Sequence, residues 1–241
     1  MENKIQTLFT KSKNSIALLI DPEKEKLNVD FLNKINSSKI DYLFIGGSTS
    51  NRIQLNTTIQ KLKKHCEIPI ILFPGSPDQV SKQADAILFL SLISGRNPYY
   101  LIDSQIEAAE EIYTSKLECI PTSYILIDGL SESSVAKVSK TNPIPIENTD
   151  LIYNTALAGQ LLGHTATYLE AGSGAKRSVP FEIVRKVSKL ETVLIVGGGV
   201  KTISKIEELH KAGADIVVIG NHIEKNQEFL DEITHYKQQL A

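Results

Sequence analysis

Short apolar runs recur along this chain at intervals of about 30 residues, the size of a strand–helix unit. They are Ile16–Ile20, Tyr42–Ile45, Pro69–Phe73, Ala86–Leu90, Ser123–Ile127, Ala166–Leu169, Val193–Val196 and Ile216–Ile219. Ile, Leu and Val dominate them, with little alternation of apolar and polar positions. That is the pattern of parallel strands covered on both faces. The segments between them carry helical spacing. Asn51–His65 holds Ile53, Leu55, Ile59 and Leu62, and Ser104–Lys116 puts Ile106, Ala109 and Ile112 on one face. Lys201–Ala212 opens with Thr202 and carries Ile203, Ile206 and Leu209 before Gly213, which suits a C-terminal cap. Gly95–Leu101, with Pro98, reads as a loop, and proline breaks Thr141–Pro145.

Eight such units in 241 residues predict an α/β fold of the (β/α)8 TIM-barrel type, one domain over residues 1–241. A doubly wound open sheet is the rival. It requires a dinucleotide or nucleotide fingerprint, and the chain has neither G-x-G-x-x-G nor a Walker A motif.

Composition narrows the function. Lys plus Arg is 26 and Asp plus Glu is 28, a net charge of −2, which argues against a protein that holds nucleic acid by general basicity. Two cysteines, Cys66 and Cys119, are too few for a disulfide scaffold or a four-thiolate metal site. No secretory signal and no run of about 18 apolar residues is present, so the expectation is a cytoplasmic protein. Peripheral contact with a membrane stays open.

In such a barrel the chemistry sits where the strands end. Asp21-Pro22-Glu23-Lys24 follows the first run. Asp21 suits a hard cation such as Mg²⁺, or a helix-initiating turn. Gly46-Gly47-Ser48-Thr49 follows the second, where Ser48 offers another hard oxygen or a helix cap. Phe73-Pro74-Gly75-Ser76-Pro77 reads as a turn or a pocket rim, and Asp128-Gly129 as a turn. After the sixth run, Tyr168 and Glu170 share a side by the two-residue strand period. Glu170 suits a general base or an acceptor for a polyol. Gly172-Ser173-Gly174 offers backbone N–H groups to an anion. Gly197-Gly198-Gly199 and Gly220-Asn221 follow the last two runs, the usual phosphate position of this barrel. The five histidines show no metal spacing, and the cysteines adjoin no nucleophile motif.

These motifs, with Leu90-Ser91-Leu92-Ile93-Ser94-Gly95-Arg96-Asn97-Pro98 and Ile120-Pro121-Thr122-Ser123-Tyr124, resemble the geranylgeranylglyceryl phosphate synthase family, which includes bacterial heptaprenylglyceryl phosphate synthases. The likeness runs in order over roughly residues 15–221, and its most specific parts are the tyrosine–glutamate–glycine segment and the N-terminal aspartate. The resemblance implies a prenyltransferase, joining geranylgeranyl diphosphate to sn-glycerol 1-phosphate with release of pyrophosphate. Carried over to this chain, it implies that Asp21 and Ser48 hold Mg²⁺ and that Tyr168 and Glu170 engage the glycerol and carry the catalysis. It also implies that the substrate lies along Tyr168, Leu169, Glu170, Ala171, Gly172, Ser173 and Gly174, with Gly197, Gly198, Gly199, Gly220 and Asn221. A homo-oligomer, a dimer or hexamer, is implied too, and Tyr99 and Tyr100 are expected in the wall of a prenyl groove.

Three other functions remain open on the residues alone. A longer, heptaprenyl donor is one. A sugar-phosphate isomerase, using Asp21 and Glu170 across the mouth, is another. A non-catalytic glycerol-phosphate-binding barrel is the third, although glycine loops alone would serve it. An aldolase is disfavoured, because no strand run contains the lysine that a Schiff base needs.

Overall fold

A computed structural model of the protein describes residues 4–24, 27–47 and 50–240. Eight parallel strands close into a barrel in sequence order. They are β1 (Ser15–Ile20), β2 (Tyr42–Ile45), β3 (Ile70–Leu72), β4 (Ala86–Ser91), β5 (Glu118–Leu126), β6 (Ala166–Glu170), β7 (Val193–Gly197) and β8 (Ile216–Ile219). The ring is sealed by β1 pairing with β8, Ser15 against Ile216 through Leu18 against Ile219.

All eight expected strands are present; β1, β4, β6 and β7 each gain one residue, and β3 and β5 change more. Pro69 and Pro74 leave β3 only Ile70–Leu72. β5 begins five residues before the expected Ser123, because Glu118–Thr122 pairs with Ala86–Leu90 of β4. Pro121 donates nothing to this ladder, but its carbonyl still accepts from Thr165 N at 2.9 Å. Ile127 leaves the strand and bridges to Ile144.

The lack of alternation in the strands has a plain cause. Alternate side chains enter two different apolar layers. Ala17, Phe44, Leu88, Tyr124, Tyr168 and Ile195 fill the barrel lumen. Leu18, Leu43, Ile87, Ile125, Leu169 and Val196 face the surrounding helices. Those helices are α2 (Val29–Ser37), α3 (Arg52–His65), α4 (Ser104–Ser115), α5 (Ser134–Ser139), α6 (Thr149–Leu161), α7 (Phe181–Val187), α8 (Ile203–Lys211), α9 (Asn221–Lys225) and α10 (Phe229–Gln239). A capping box at Asn51 and Gln54 starts α3, and Thr202 accepts from Lys205 N to start α8. Gly213, at φ +106°, ends α8 as expected. The expected loop at 95–101 is a loop only to Pro98. Tyr99–Asp103 forms a π-helical turn that runs into α4.

The floor of the barrel is plugged by α1 (Lys4–Lys11). Its Ile5 and Phe9 enter the lumen layer, and Phe9 meets Tyr42 edge-on at 4.9 Å. The Glu118 carboxylate accepts from the N–H groups of Ile5 and Gln6, capping the helix from across the barrel. The open end is therefore the other one, where the strands finish. Cys66 and Cys119 are unpaired, and burial pushes the Cys119 thiol up to about 11, which keeps it inert.

Candidate active site

Three glycine loops rim one side of the mouth. After β7, Gly198 and Gly199 both take left-handed backbone, at φ +87° and +70°. A side chain on Gly198 would stand 2.6 Å from Glu170 Oε1 and 2.8 Å from Gly172 N, so only glycine fits. Among the described residues, the N–H groups of Gly174, Gly198 and Gly199 have no acceptor in the protein. Clustered N–H groups of this kind form a concavity for an anion. Ser173 Oγ donates to Asn221 Oδ1 at 2.9 Å, which ties the loop after β6 to the loop after β8.

Glu170 ends β6 in the centre of the mouth and is buried. Burial lifts its carboxyl to about 7, opposed by the N–H of Gly172, which donates to Oε1 at 2.6 Å, and more weakly by the Tyr168 hydroxyl. That carboxyl is poised to take or hold a proton near neutral pH. The Tyr168 ring lies in the lumen, fully buried, stacked on Phe73 at 5.2 Å. Its hydroxyl is close enough to feel Glu170 but falls short of hydrogen-bond geometry, and it has no partner among the described residues. A buried hydroxyl without a partner is uncommon and points to a ligand.

Asp21 follows β1 and is also buried. Its Oδ1 accepts from Glu23 N at 3.1 Å, and its Oδ2 pairs with Lys24 Nζ at 2.7 Å. Gly47 makes room for it, since a Cβ there would stand 2.6 Å from Oδ1. The Gly47 loop is braced by buried Gln79, whose Nε2 donates to the carbonyls of Gly47 and Ser50, both at 2.8 Å, while its Oε1 accepts from Gly75 N at 2.9 Å.

From this polar mouth a cavity of about 400 Å³ runs over β4 toward α4. Its far walls are apolar, including Leu88, Leu90, Tyr99, Tyr100, Ala108 and Ile112. Tyr99 and Tyr100, expected in the wall of a prenyl groove, both line this cavity.

The structure brings Asp21, Tyr168, Glu170, Ser173, Gly174, Gly198, Gly199, Gly220 and Asn221 to one cavity. Ser48 lies outside the described residues. The Leu169 and Ala171 side chains pack in the strand–helix layer, so only their backbone faces the mouth. Gly172 spends its N–H on Glu170, and Gly197 packs beneath the Tyr168 ring, where a Cβ would stand 2.4 Å from its hydroxyl. Asp128 makes a turn, accepting from Leu130 N at 2.9 Å. Sequence inspection gave no role to Tyr124, Gln79 or Lys201. Tyr124 had a usable signal, a lone phenol in register with Tyr168 and hence on the same lumen side. Gln79 had none, because its role depends on two loops meeting.

A closed parallel barrel with an anion cradle after its last three strands and a buried acid at its centre defines a phosphate-handling barrel of the TIM class. Within that class the chain belongs to the PcrB family, whose model matches residues 9–237. It is 45% identical to geranylgeranylglyceryl phosphate synthase of Flavobacterium johnsoniae, over 96% of this chain and all of that one. It is 42% identical to the protein of the same name from Chitinophaga pinensis, over 97% and 95%. The crystal structure of (S)-3-O-geranylgeranylglyceryl phosphate synthase from Thermoplasma acidophilum, in complex with its substrate sn-glycerol-1-phosphate, superposes with a TM-score of 0.88 at 30% identity, covering 97% and 96% of the two chains.

Proposed function

We propose that the protein is a prenyltransferase that joins geranylgeranyl diphosphate to sn-glycerol 1-phosphate as an ether and releases pyrophosphate. The observation that carries this is the division of one cavity into two chemistries. An anion cradle with a buried acid occupies the mouth, and an apolar channel leads away from it. The names of the relatives agree with it.

In this reading the glycerol phosphate sets its phosphate on the N–H groups of Gly174, Gly198 and Gly199. The Tyr168 hydroxyl gains its missing partner in the glycerol. A free glycerol hydroxyl attacks the first carbon of the prenyl chain, forming the C–O ether bond. The bond from that carbon to diphosphate breaks, with its electron pair leaving on the diphosphate oxygen. Glu170 takes the hydroxyl proton. The apolar walls hold the prenyl chain and keep water from the allylic carbon.

Mg²⁺ belongs to the same proposal. A buried carboxylate in a space kept clear by Gly47 is a hard oxygen donor of the right kind, and Mg²⁺ needs only one or two such protein ligands. Asp21 and Ser48 would hold it. When bound, it would offset charge on the diphosphate.

The test is transfer of labelled sn-glycerol 1-phosphate into organic-extractable lipid, with prenyl diphosphates of increasing length, with and without chelator. The expected result is best transfer with the geranylgeranyl donor, abolished by chelator and by Asp21→Asn. No transfer with any donor, while glycerol phosphate still binds, would replace the enzyme with a binding protein.

A further inference from the structure

The loops after β5 and β6 lock together at the rim of the mouth. Gly129 O accepts from both Lys176 N and Arg177 N at 3.1 Å, and a Cβ on Gly129 would stand 2.1 Å from Ala171 O. This interlock sets Leu130 beside Lys176 and Arg177, and all three are exposed. An exposed leucine is ordinary by itself. Leu130 is not, because its backbone is left-handed, at φ +57°. Among the described residues, the other non-glycine positions of this kind are Asn14, Lys39, Lys116 and Lys140, all polar. Left-handed backbone costs a leucine energy that glycine or asparagine largely avoids. With 57% of its surface open, interior packing returns little of that cost.

The fold does not account for the two cations either. Neither Lys176 nor Arg177 pairs with a carboxylate among the described residues, and neither lines the cavity, unlike Lys201. Residues 171–180 hold both of them and no Asp or Glu. The carboxylates of the facing loop are engaged: Asp128 accepts from Leu130 N at 2.9 Å, and Glu132 pairs with Lys137 at 3.0 Å. Inward from this rim, Val138 of α5 is about half exposed and lines the apolar channel. An apolar tip flanked by cations suits the surface of an anionic bilayer, where the tip enters the headgroup layer and the cations stay at its phosphates.

We propose that Leu130, Lys176 and Arg177 form a membrane-docking surface for a bilayer with anionic headgroups. This rests on the prenyl-transfer reading, in which donor and product both carry a long apolar chain, and that reading supplies the reason for the contact. Once docked, the mouth opens at the layer where such chains lie, and the donor enters the channel with little of its chain passing through water.

Vesicle co-sedimentation reads the contact without turnover. Vesicles of phosphatidylcholine, alone or with phosphatidylglycerol, are mixed with wild type, Leu130→Asn, Leu130→Met and the double variant Lys176→Gln with Arg177→Gln. Wild type should bind the anionic vesicles and hardly the neutral ones. The double variant should bind about twentyfold more weakly, at about fivefold per cation. Leu130→Asn should bind about tenfold more weakly, and Leu130→Met should hold. The unfolding midpoint of Leu130→Asn should match or exceed that of wild type, because asparagine tolerates left-handed backbone, so its loss of binding is not a loss of fold. Prenyl transfer from donor dispersed in neutral detergent should be unchanged in every variant, and transfer from donor carried in anionic vesicles should fall with binding. Failure of wild type to bind anionic vesicles overturns the proposal, as does undiminished binding in the double variant. A parallel loss of sn-glycerol 1-phosphate affinity in the double variant also overturns it, since the cations would then serve the cradle. If wild type transfers nothing even in detergent, the prenyl-transfer reading falls on that arm, while vesicle binding still decides the surface.

Discussion

At the floor of the barrel, Asp41, Asp85 and Asp215 each stand immediately before a strand and accept an N–H from the strand beside it. Ile16 N reaches Asp41 at 2.8 Å, Ile70 N reaches Asp85 at 2.8 Å, and Leu194 N reaches Asp215 at 2.9 Å. Each also has a lysine, respectively Lys237 at 2.8 Å, Lys63 at 2.6 Å and Lys13 at 2.7 Å. At the mouth, Glu170 is more deeply buried but, among the described residues, has one backbone donor, no lysine, and a tyrosine that does not quite reach it. The same carboxylate chemistry thus serves two ends. Where the partners are complete, it pins strands in register. Where they are incomplete, its proton affinity rises to about 7, which suits the role proposed for Glu170.

The sharpest test of that contrast is Glu170→Gln. It should lower kcat/KM by about a hundredfold or more while leaving the unfolding midpoint nearly unchanged. In wild type, Glu170 must be ionised to accept a proton, so kcat/KM should climb with pH through about 7, and steady-state rates across that range will show it. A flat profile would make Glu170 an orienting group rather than a base. Asp215→Ala should do the reverse. Stability in urea should fall by about 2 kcal/mol, since a strand N–H loses its acceptor, while kcat holds. The smallest effect belongs to His210, buried at the floor between the Tyr236 hydroxyl and the Ser15 carbonyl, near Asp41, Asp215 and Lys237. Burial pulls its pKa down to about 4 from 6.5. The unfolded chain therefore takes a proton that the folded one refuses, and stability should fall as pH drops from about 6.5 toward 4. The loss should reach about 1 kcal/mol near pH 5.5, read by denaturant titration, and should vanish in His210→Gln.

The strands were legible because a barrel strand is apolar on both faces, and such runs stand out from amphipathic helices. The glycine loops at the mouth were legible because left-handed backbone and close approach both demand glycine, as at Gly198. The floor aspartates were not. Asp41, Asp85 and Asp215 look like any polar residue ahead of a strand until the neighbouring strand supplies its N–H. Nor could the apolar channel be traced, because Leu88 from the lumen and Ile112 from α4 line one space only after the helices are docked. The early start of β5 was hidden by Pro121, which reads as a break yet needs only its carbonyl to keep its place.

The plug at the floor also has a history within each molecule. The α1 helix precedes its partners in the chain: the carboxylate that caps it, on Glu118, comes 113 residues after Ile5, and β1 has no final neighbour until β8 exists. At a synthesis rate of about 5–20 residues per second, Ile5 and Phe9 wait roughly 6–20 seconds for their cap and longer for the closed ring. The contacts that bury them come from strands later in the chain, so both side chains stay uncovered until those strands exist. Its docking can be completed only after β5, which supplies the cap, has been made.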